Sequence, residues 1–359
     1  MTSPTSFHAQ THIELAEARI VIAELCAHMV EHDAQVEALG EERILKFRGA
    51  CARFSRQGRA TVVDLSAPSL EGLYFLRMTV AAHLKEFAGG NVAPIRWTGD
   101  AQDLTRPPNF QILRLRAIRD LTPHMRRLTL AGDDVARFAP LDALHVNILL
   151  QRPELSEPQW PSVGPDGLIA WPDPGLRPAL RKYTIRNVDL AAGTIAVDFV
   201  LHADAGPGAA LAEHAVVGQE IGTIGPGGGG LVAADWYLFA GDETALPAMA
   251  RMLAHLPPTA RGFAFIEVDD EREIQPLENR TQIHVSWLFR RGAVAGTTSL
   301  LIDAVMAAEF PSNGSRVYVW VGCEFDAFRS IRTHLRGERG LRKEDHLVVA
   351  YWRRGATGP

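Results

Sequence analysis

The sequence predicts a chain of three parts. A small α+β domain covers 1–95, a linker covers 96–110, an antiparallel six-stranded β-barrel covers 111–234, and an α/β domain with a parallel sheet covers 235–359. Three observations predict this. Two stretches of helical spacing flank short alternating runs in the first 90 residues. Six short strand-like runs follow one another between Gln111 and Val232. From Asp235 onward, apolar runs alternate with helical ones, the pattern of a parallel sheet covered by helices.

Each element has a local reason. Residues 16–32, "AEARIVIAELCAHMVEH", carry apolar side chains at helical spacing. "QVEALG", "RILKFRGACARFS" and "RATVVDLSA" alternate and are separated by turn residues, including "RQG" at 56–58. A second helix over 70–88 starts behind the Pro68–Ser69 cap. The Gly- and Pro-rich "AGGNVAPIRWTGDAQDLTRPPNF" reads as the linker. The barrel strands are "ILRLRAIRDL", "MRRLTLAG", "ALHVNILLQ", "LRKYTIRNV", "TIAVDFVLH" and "QEIGTIGP". The last domain has "DWYLFAGDETALPAMARMLAHL" as strand, turn and helix, then strands "GFAFIEVDD", "IHVSWLFRR", "SRVYVWVG" and "HLVVAYW", with helices over 299–309 and 325–336.

Composition narrows the class. The chain has 359 residues, more than one ordinary domain, with 47% hydrophobic and 22% charged residues, as in a globular protein. A net charge of −5 argues against general nucleic-acid binding. No apolar run is long enough to span a membrane, and "MTSPTSFHAQTHIEL" lacks the basic and apolar regions of a signal peptide. A cytoplasmic location is the simplest expectation. Cys26, Cys51 and Cys323 are too scattered for a disulfide framework, a zinc site or an iron–sulfur site. His28 and His32 stand one helical turn apart, but no third ligand is evident, so no metal site is assigned.

Chemistry concentrates in "RKYTIR", 181–186. Strand alternation sends Arg181 and Tyr183 to one face, Lys182 and Thr184 to the other. The guanidinium suits a pyrophosphate, the tyrosine ring an isoalloxazine, and the threonine its polar edge. About twenty residues on, Gly206, Pro207 and Gly208 lead into small residues that open a helix, whose exposed N–H groups would cradle phosphate. In "GDETALPA", Gly241, Glu243 and Thr244 lie between a buried strand and a helix, where a dinucleotide loop is expected although G-x-G-x-x-G is absent. Asp242 and Glu243 would repel phosphate if they faced it; a plain capped helix start is the alternative. Arg290 and Arg291 at a strand end would clamp a 2′-phosphate and favour NADPH, or else be solvated. Arg353, Arg354 and Arg126 are cations that would attract an anionic ligand. Cys323, at a buried strand end, is expected to be inert.

Five ordered stretches, "LTPHMRRLTLAGDD", "RKYTIR", "HADAGPGAALA", "FAGDETALPAMARML" and "AYWRRG", resemble the siderophore-interacting protein family, FAD-dependent ferric-siderophore reductases of the ferredoxin-reductase-like superfamily. The resemblance covers about 111–355. The N-terminal 90 residues resemble an uncharacterised bacterial domain. The resemblance implies that Arg181, Tyr183, Thr184 and Arg186 bind flavin and that His202 and Ala205–Pro207 form the phosphate loop. It also implies that Trp352 covers the flavin where nicotinamide enters. Ala203 and Leu211 replace the family's usual Gly and Trp, which bears on adenine stacking. Asn147 replaces a lysine implicated in holding the iron chelate.

The expected function is therefore FAD-dependent reduction of Fe(III) in a siderophore chelate, with NADPH or NADH as electron donor. The protein would supply position and electrostatics, without a catalytic acid or nucleophile. Two alternatives stay open. One is a flavin reductase or electron-transfer protein with another acceptor, such as a quinone or redox protein. The other is a flavin- or chelate-binding iron carrier or sensor without turnover.

Overall fold

The computed structural model describes residues 6–90, 92–202, 206–312 and 314–356. The chain divides into two compact units, Met1–Phe110 with Gln151–Arg177, and Gln111–Leu150 with Pro178–Pro359.

In the first unit, β1 (Phe7–Glu14), α1 (Ala18–Glu31), β2 (Gln35–Leu39), β3 (Glu42–Phe47), β4 (Ala50–Gln57), β5 (Ala60–Ala67), α2 (Leu70–Phe87) and β6 (Thr98–Gly99) follow in order. The strands form one sheet in the order β2-β3-β4-β5-β1-β6. Strand β1 lies in a segment that the sequence reading treats only as a possible leader. It buries Ala9, Thr11 and Ile13 in alternation and runs antiparallel to β5. Arg48 and Gly49, both at positive φ, make the two-residue turn between β3 and β4. Helix α1 buries Val21, Leu25 and Met29 at four-residue spacing. Helix α2 starts where expected, with the Ser69 hydroxyl accepting from Gly72 N at 3.0 Å.

The barrel begins with β7 (Phe110–Thr122), β8 (Met125–Ala131) and β9 (His145–Leu150). The chain then leaves it. Residues 151–177, which the sequence reading counts within the barrel segment, carry the two-residue strands β10 (Ser162–Val163) and β11 (Ile169–Ala170) and fold into the first unit. There Asp166 pairs with Lys85 at 2.5 Å, and its carbonyl accepts from the buried Trp97 indole at 2.8 Å. The barrel resumes with β12 (Ala179–Asp189), β13 (Thr194–Val200), α3 (Pro207–His214) and β14 (Glu220–Gly227). It closes as β12-β13-β8-β7-β14-β9, six antiparallel strands around an aliphatic core.

The rest of the second unit is β15 (Trp236–Gly241), α4 (Leu246–His255), β16 (Arg261–Val268), β17 (Gln282–Phe289), α5 (Leu300–Ala307), β18 (Val317–Glu324), α6 (Phe325–Gly337) and β19 (His346–Trp352). The sheet is parallel throughout, ordered β17-β16-β15-β18-β19. Strand β15 is buried along its whole length, as the centre of a two-faced sheet must be. The order reverses between β15 and β18, so a crevice opens at their carboxyl ends. Among the described residues no helix is long and apolar enough to cross a membrane.

Candidate functional site

Two groups of side chains meet in the second unit, one on the barrel and one at the crevice of the parallel sheet. On the barrel, the half-buried Tyr183 lies against Phe199, with ring centroids 4.3 Å apart. Burial pushes its phenol up to about 12, so it stays a protonated donor at neutral pH. Its hydroxyl reaches helix α3 where the helix begins. A Cβ on Gly208 would lie 1.7 Å from that oxygen, so only glycine admits the ring there. Gly206 is the extended N-cap of α3, and Pro207 occupies its first turn, where a missing N–H costs nothing. His202 is exposed just before the loop. Ala203 and Ala205 lie outside the described residues. Leu211 packs against the barrel core. Arg181 is half-exposed and donates to Leu180 O at 2.9 Å.

The opposite face of β12 carries Lys182 and Thr184. Thr184 is 4% exposed, and its hydroxyl faces that of Tyr351. A half-buried aromatic ring reaching a helix N-terminus that only glycine admits there is what a flat, phosphate-bearing ligand would use. The residues present therefore fit the flavin that their sequence implies. The register pairs Thr184 with His145 and Lys182 with Asn147 across β9. Directly opposed residues share a face, so the exposed Lys182 and the half-buried Asn147 lie on the same side of the barrel sheet. The sequence reading notes Lys182 only as an alternate strand position. Its pairing with Asn147 depends on a register that local sequence does not state.

Arg186 is half-buried, and burial lowers its affinity for a proton, with the Arg127 charge adding to the effect. Arg251 of α4 is 2% exposed and donates to Ile185 O at 3.0 Å and to Phe138 O at 2.6 Å. That guanidinium fastens α4 to the strand bearing Tyr183 and Thr184. Its only sequence signal is an arginine inside an otherwise apolar helix.

At the crevice, Gly241 ends β15. A Cβ there would approach the Ala245 side chain to 2.4 Å and Gly322 O to 2.6 Å, so glycine is required by close packing. Asp242 is buried; its Oδ1 accepts from Thr244 N at 3.0 Å and from Thr244 Oγ1 at 2.5 Å. Burial, then the Glu243 charge, push the Asp242 carboxyl up to about 6. Glu243 forms a two-pronged pair with Arg290 at 2.9 and 2.5 Å, with Glu267 3.7 Å from the same guanidinium. Both Arg290 and Glu243 side chains are under 10% exposed.

This arrangement corrects one expectation, that of an arginine pair clamping a 2′-phosphate. Arg290 is the internal counter-ion of Glu243 rather than an open phosphate clamp, because two buried carboxylates converge on it. Arg291 turns outward, 77% exposed, so the two arginines do not act together. Trp352, expected over the flavin, donates its indole N–H to Asp242 Oδ2 at 2.7 Å. Alternation along β19 sends Tyr351 the other way. The Tyr351 hydroxyl lies 2.6 Å from His145 Nε2 and next to Thr184.

The expected substrate cations also separate. Arg126 pairs with Asp120 at 2.6 Å and donates to Ala212 O at 3.0 Å, where it caps the carboxyl end of α3. Arg353 lies over the Phe325 ring at 4.7 Å. Arg354 donates to Gly296 O at 3.3 Å and, with Asp242, Glu267, Cys323 and Glu324, lines a cavity of about 220 Å³ in the crevice. Cys323 is buried, and desolvation followed by its acidic neighbours pushes its thiol well up, so it is no thiolate nucleophile.

Three family models match the chain: "Siderophore-interacting FAD-binding domain" over 114–230, "Siderophore-interacting protein" over 234–355, and "Uncharacterized protein conserved in bacteria" over 10–98. Ferric vibriobactin reductase of Vibrio cholerae is 30% identical over 239 residues, 66% of this chain and 86% of that protein. A siderophore utilization protein from T. fusca is 39% identical, covers 71% of this chain and 97% of its own, and superposes with a TM-score of 0.63. The siderophore-interacting protein SipS of Aeromonas hydrophila is 28% identical, with coverages of 69% and 93% and a TM-score of 0.59.

Proposed function

Since the chain belongs to the siderophore-interacting protein family and carries that family's FAD-binding domain, we propose that it reduces Fe(III) in a siderophore chelate, with FAD as cofactor and NADH or NADPH as donor. The observation that carries the flavin reading is the half-buried Tyr183 ring, whose hydroxyl sits against Gly208 at the start of α3, where a Cβ would fill the space. Bound FAD supplies the conversion of a two-electron donor into one-electron reduction.

The chain's own residues bind and orient. Arg181, with the N–H groups around Gly206–Gly208 and the loop containing His202 and Ala205, holds the pyrophosphate. Tyr183 lies against the ring system, and Thr184 meets its polar edge. Arg186 adds positive potential on the same strand. Tyr351, held by His145, packs beside Thr184 and excludes water there. Gly241 and Thr244 admit the donor at the crevice, and Arg291 is the cation left to meet a 2′-phosphate.

The iron is substrate. Reduction weakens its hold, because hard oxygen ligands bind Fe(II) less well than Fe(III). Lys182 supplies the charge that Asn147 lacks, and Arg353 and Arg354 add to the local positive field. A second reading is that a redox protein, not a nicotinamide, donates the electrons. The burial of Arg290 between Glu243 and Glu267 favours it.

The deciding experiment is the visible spectrum of purified protein before and after anaerobic NADH or NADPH, followed by addition of a ferric tris-catecholate and an Fe(II)-specific chromophore. Flavin bleaching, then recovery with Fe(II) release, is expected. A protein that takes up no FAD sinks the reading. One that bleaches only with a reduced redox protein selects the second.

A further inference from the structure

Helices α1 and α2 of the first unit bring three imidazoles together. His28 and His32 lie one turn apart on α1, with their Nε2 atoms 3.2 Å from each other. His83 of α2 adds a third ring, with its centroid 4.9 Å from that of His28. Phe87 backs both, at 5.8 Å from His28 and 6.1 Å from His83. His83 was invisible as a partner in the sequence, because four strands and the first turns of α2 separate it from the α1 pair.

The protonation pattern is constrained. His83 Nδ1 is 2.7 Å from Thr79 O. A carbonyl only accepts, so Nδ1 carries the proton and Nε2 presents a lone pair. That is the arrangement by which a backbone carbonyl orients a metal-bound imidazole. For the α1 pair, two imidazoles on a tetrahedral ion with bonds of about 2.0–2.1 Å hold their nitrogens roughly 3.3 Å apart. The observed separation matches. Without an ion, one of two adjacent nitrogens must donate to the other.

We propose that His28, His32 and His83 bind one divalent first-row transition-metal ion. Among the described residues no three such side chains already close on a common point. The α1 pair is in place, and His83, its Nδ1 still bonded to Thr79 O, joins it by a small shift of α2 toward α1. His32 is exposed, which gives an ion direct access, and water fills the remaining position. Imidazole ligands without a carboxylate or thiolate suit zinc, cobalt, nickel or copper better than magnesium or calcium.

The test uses the full chain, untagged and stripped by chelator, titrated calorimetrically with Zn²⁺ and spectroscopically with Co²⁺. One equivalent should bind, and Co²⁺ should give visible d–d absorbance. His28→Ala and the exposed His32→Gln should each weaken binding about tenfold or more, and His83→Gln about tenfold. His12→Ala, an exposed histidine of β1, should leave it unchanged. Circular dichroism shows which variants are folded, and His32→Gln carries the test if His28→Ala is not. Absence of stoichiometric binding, or unchanged affinity in His32→Gln, overturns the site. Unchanged affinity in His83→Gln overturns the three-ligand form argued here.

Discussion

The hydroxyl of Tyr351 lies 2.6 Å from Nε2 of His145, so the last strand of the parallel sheet is bonded directly to a barrel strand. The contact sits beside the buried hydroxyl of Thr184, on the strand that also carries Tyr183. Burial, then the positive charges of Lys182 and Arg251, push the His145 imidazole down to about 4.

The His145 shift makes a pH prediction. The folded value lies below the unfolded value near 6.5, so His145 contributes stability that is present above about 6.5 and lost as pH falls toward about 4. Asp242, raised to about 6, acts oppositely in this window, so a difference measurement is needed. The stability of wild type minus that of His145→Gln, from urea unfolding, should shrink by about 2 kcal/mol between pH 7.5 and pH 5. A pH-independent difference would mean that His145 titrates normally.

Flavin uptake should depend on the β12–α3 contact. Wild type should purify yellow, and the combined Arg181→Ala and Tyr183→Ala substitutions should remove its visible absorbance. Gly208→Ala should displace the Tyr183 ring and weaken FAD binding about tenfold or more, with far-ultraviolet circular dichroism unchanged. Equal FAD affinity in wild type and Gly208→Ala would place the ring elsewhere in the holoprotein.

Arg290→Ala should destabilise the fold by roughly 3–5 kcal/mol, since it leaves Glu243 and Glu267 buried without their counter-ion. Its effect on KM should be the same for NADH and NADPH. Arg291→Ala should leave thermal stability nearly intact and raise KM for NADPH alone, by about tenfold. Donor discrimination lost in Arg290→Ala but kept in Arg291→Ala would reverse these assignments.

Substrate charge should be read at the Lys182–Asn147 pair. Lys182→Ala should weaken an anionic ferric catecholate by roughly 1 kcal/mol, about fivefold in KM, and Asn147→Lys should strengthen it by a similar amount. Both effects should shrink as salt rises and be small for a neutral ferric hydroxamate. Steady-state reduction at two ionic strengths decides it, and equal effects on both chelates would remove the pair from the iron site.

Alternation and spacing alone determined a great deal. The six barrel strands and helices α1 and α2 were legible because each is encoded by a local period of two or near four, and the five parallel strands because each is a short apolar run between helical ones. The face shared by Arg181 and Tyr183 follows from the same period. Strand β1 carries the same alternation in Ala9, Thr11 and Ile13, but it is too short to be told from an irregular N-terminal segment without its partner β5. Tertiary structure decided what local periodicity does not contain: which distant strands pair, and in what register. It set Lys182 opposite Asn147, turned Tyr351 rather than Trp352 toward His145, and brought His83 to the α1 pair. It also closed Arg290 over Glu243, because a buried carboxylate 47 residues away needs a counter-ion more than the crevice needs an open arginine.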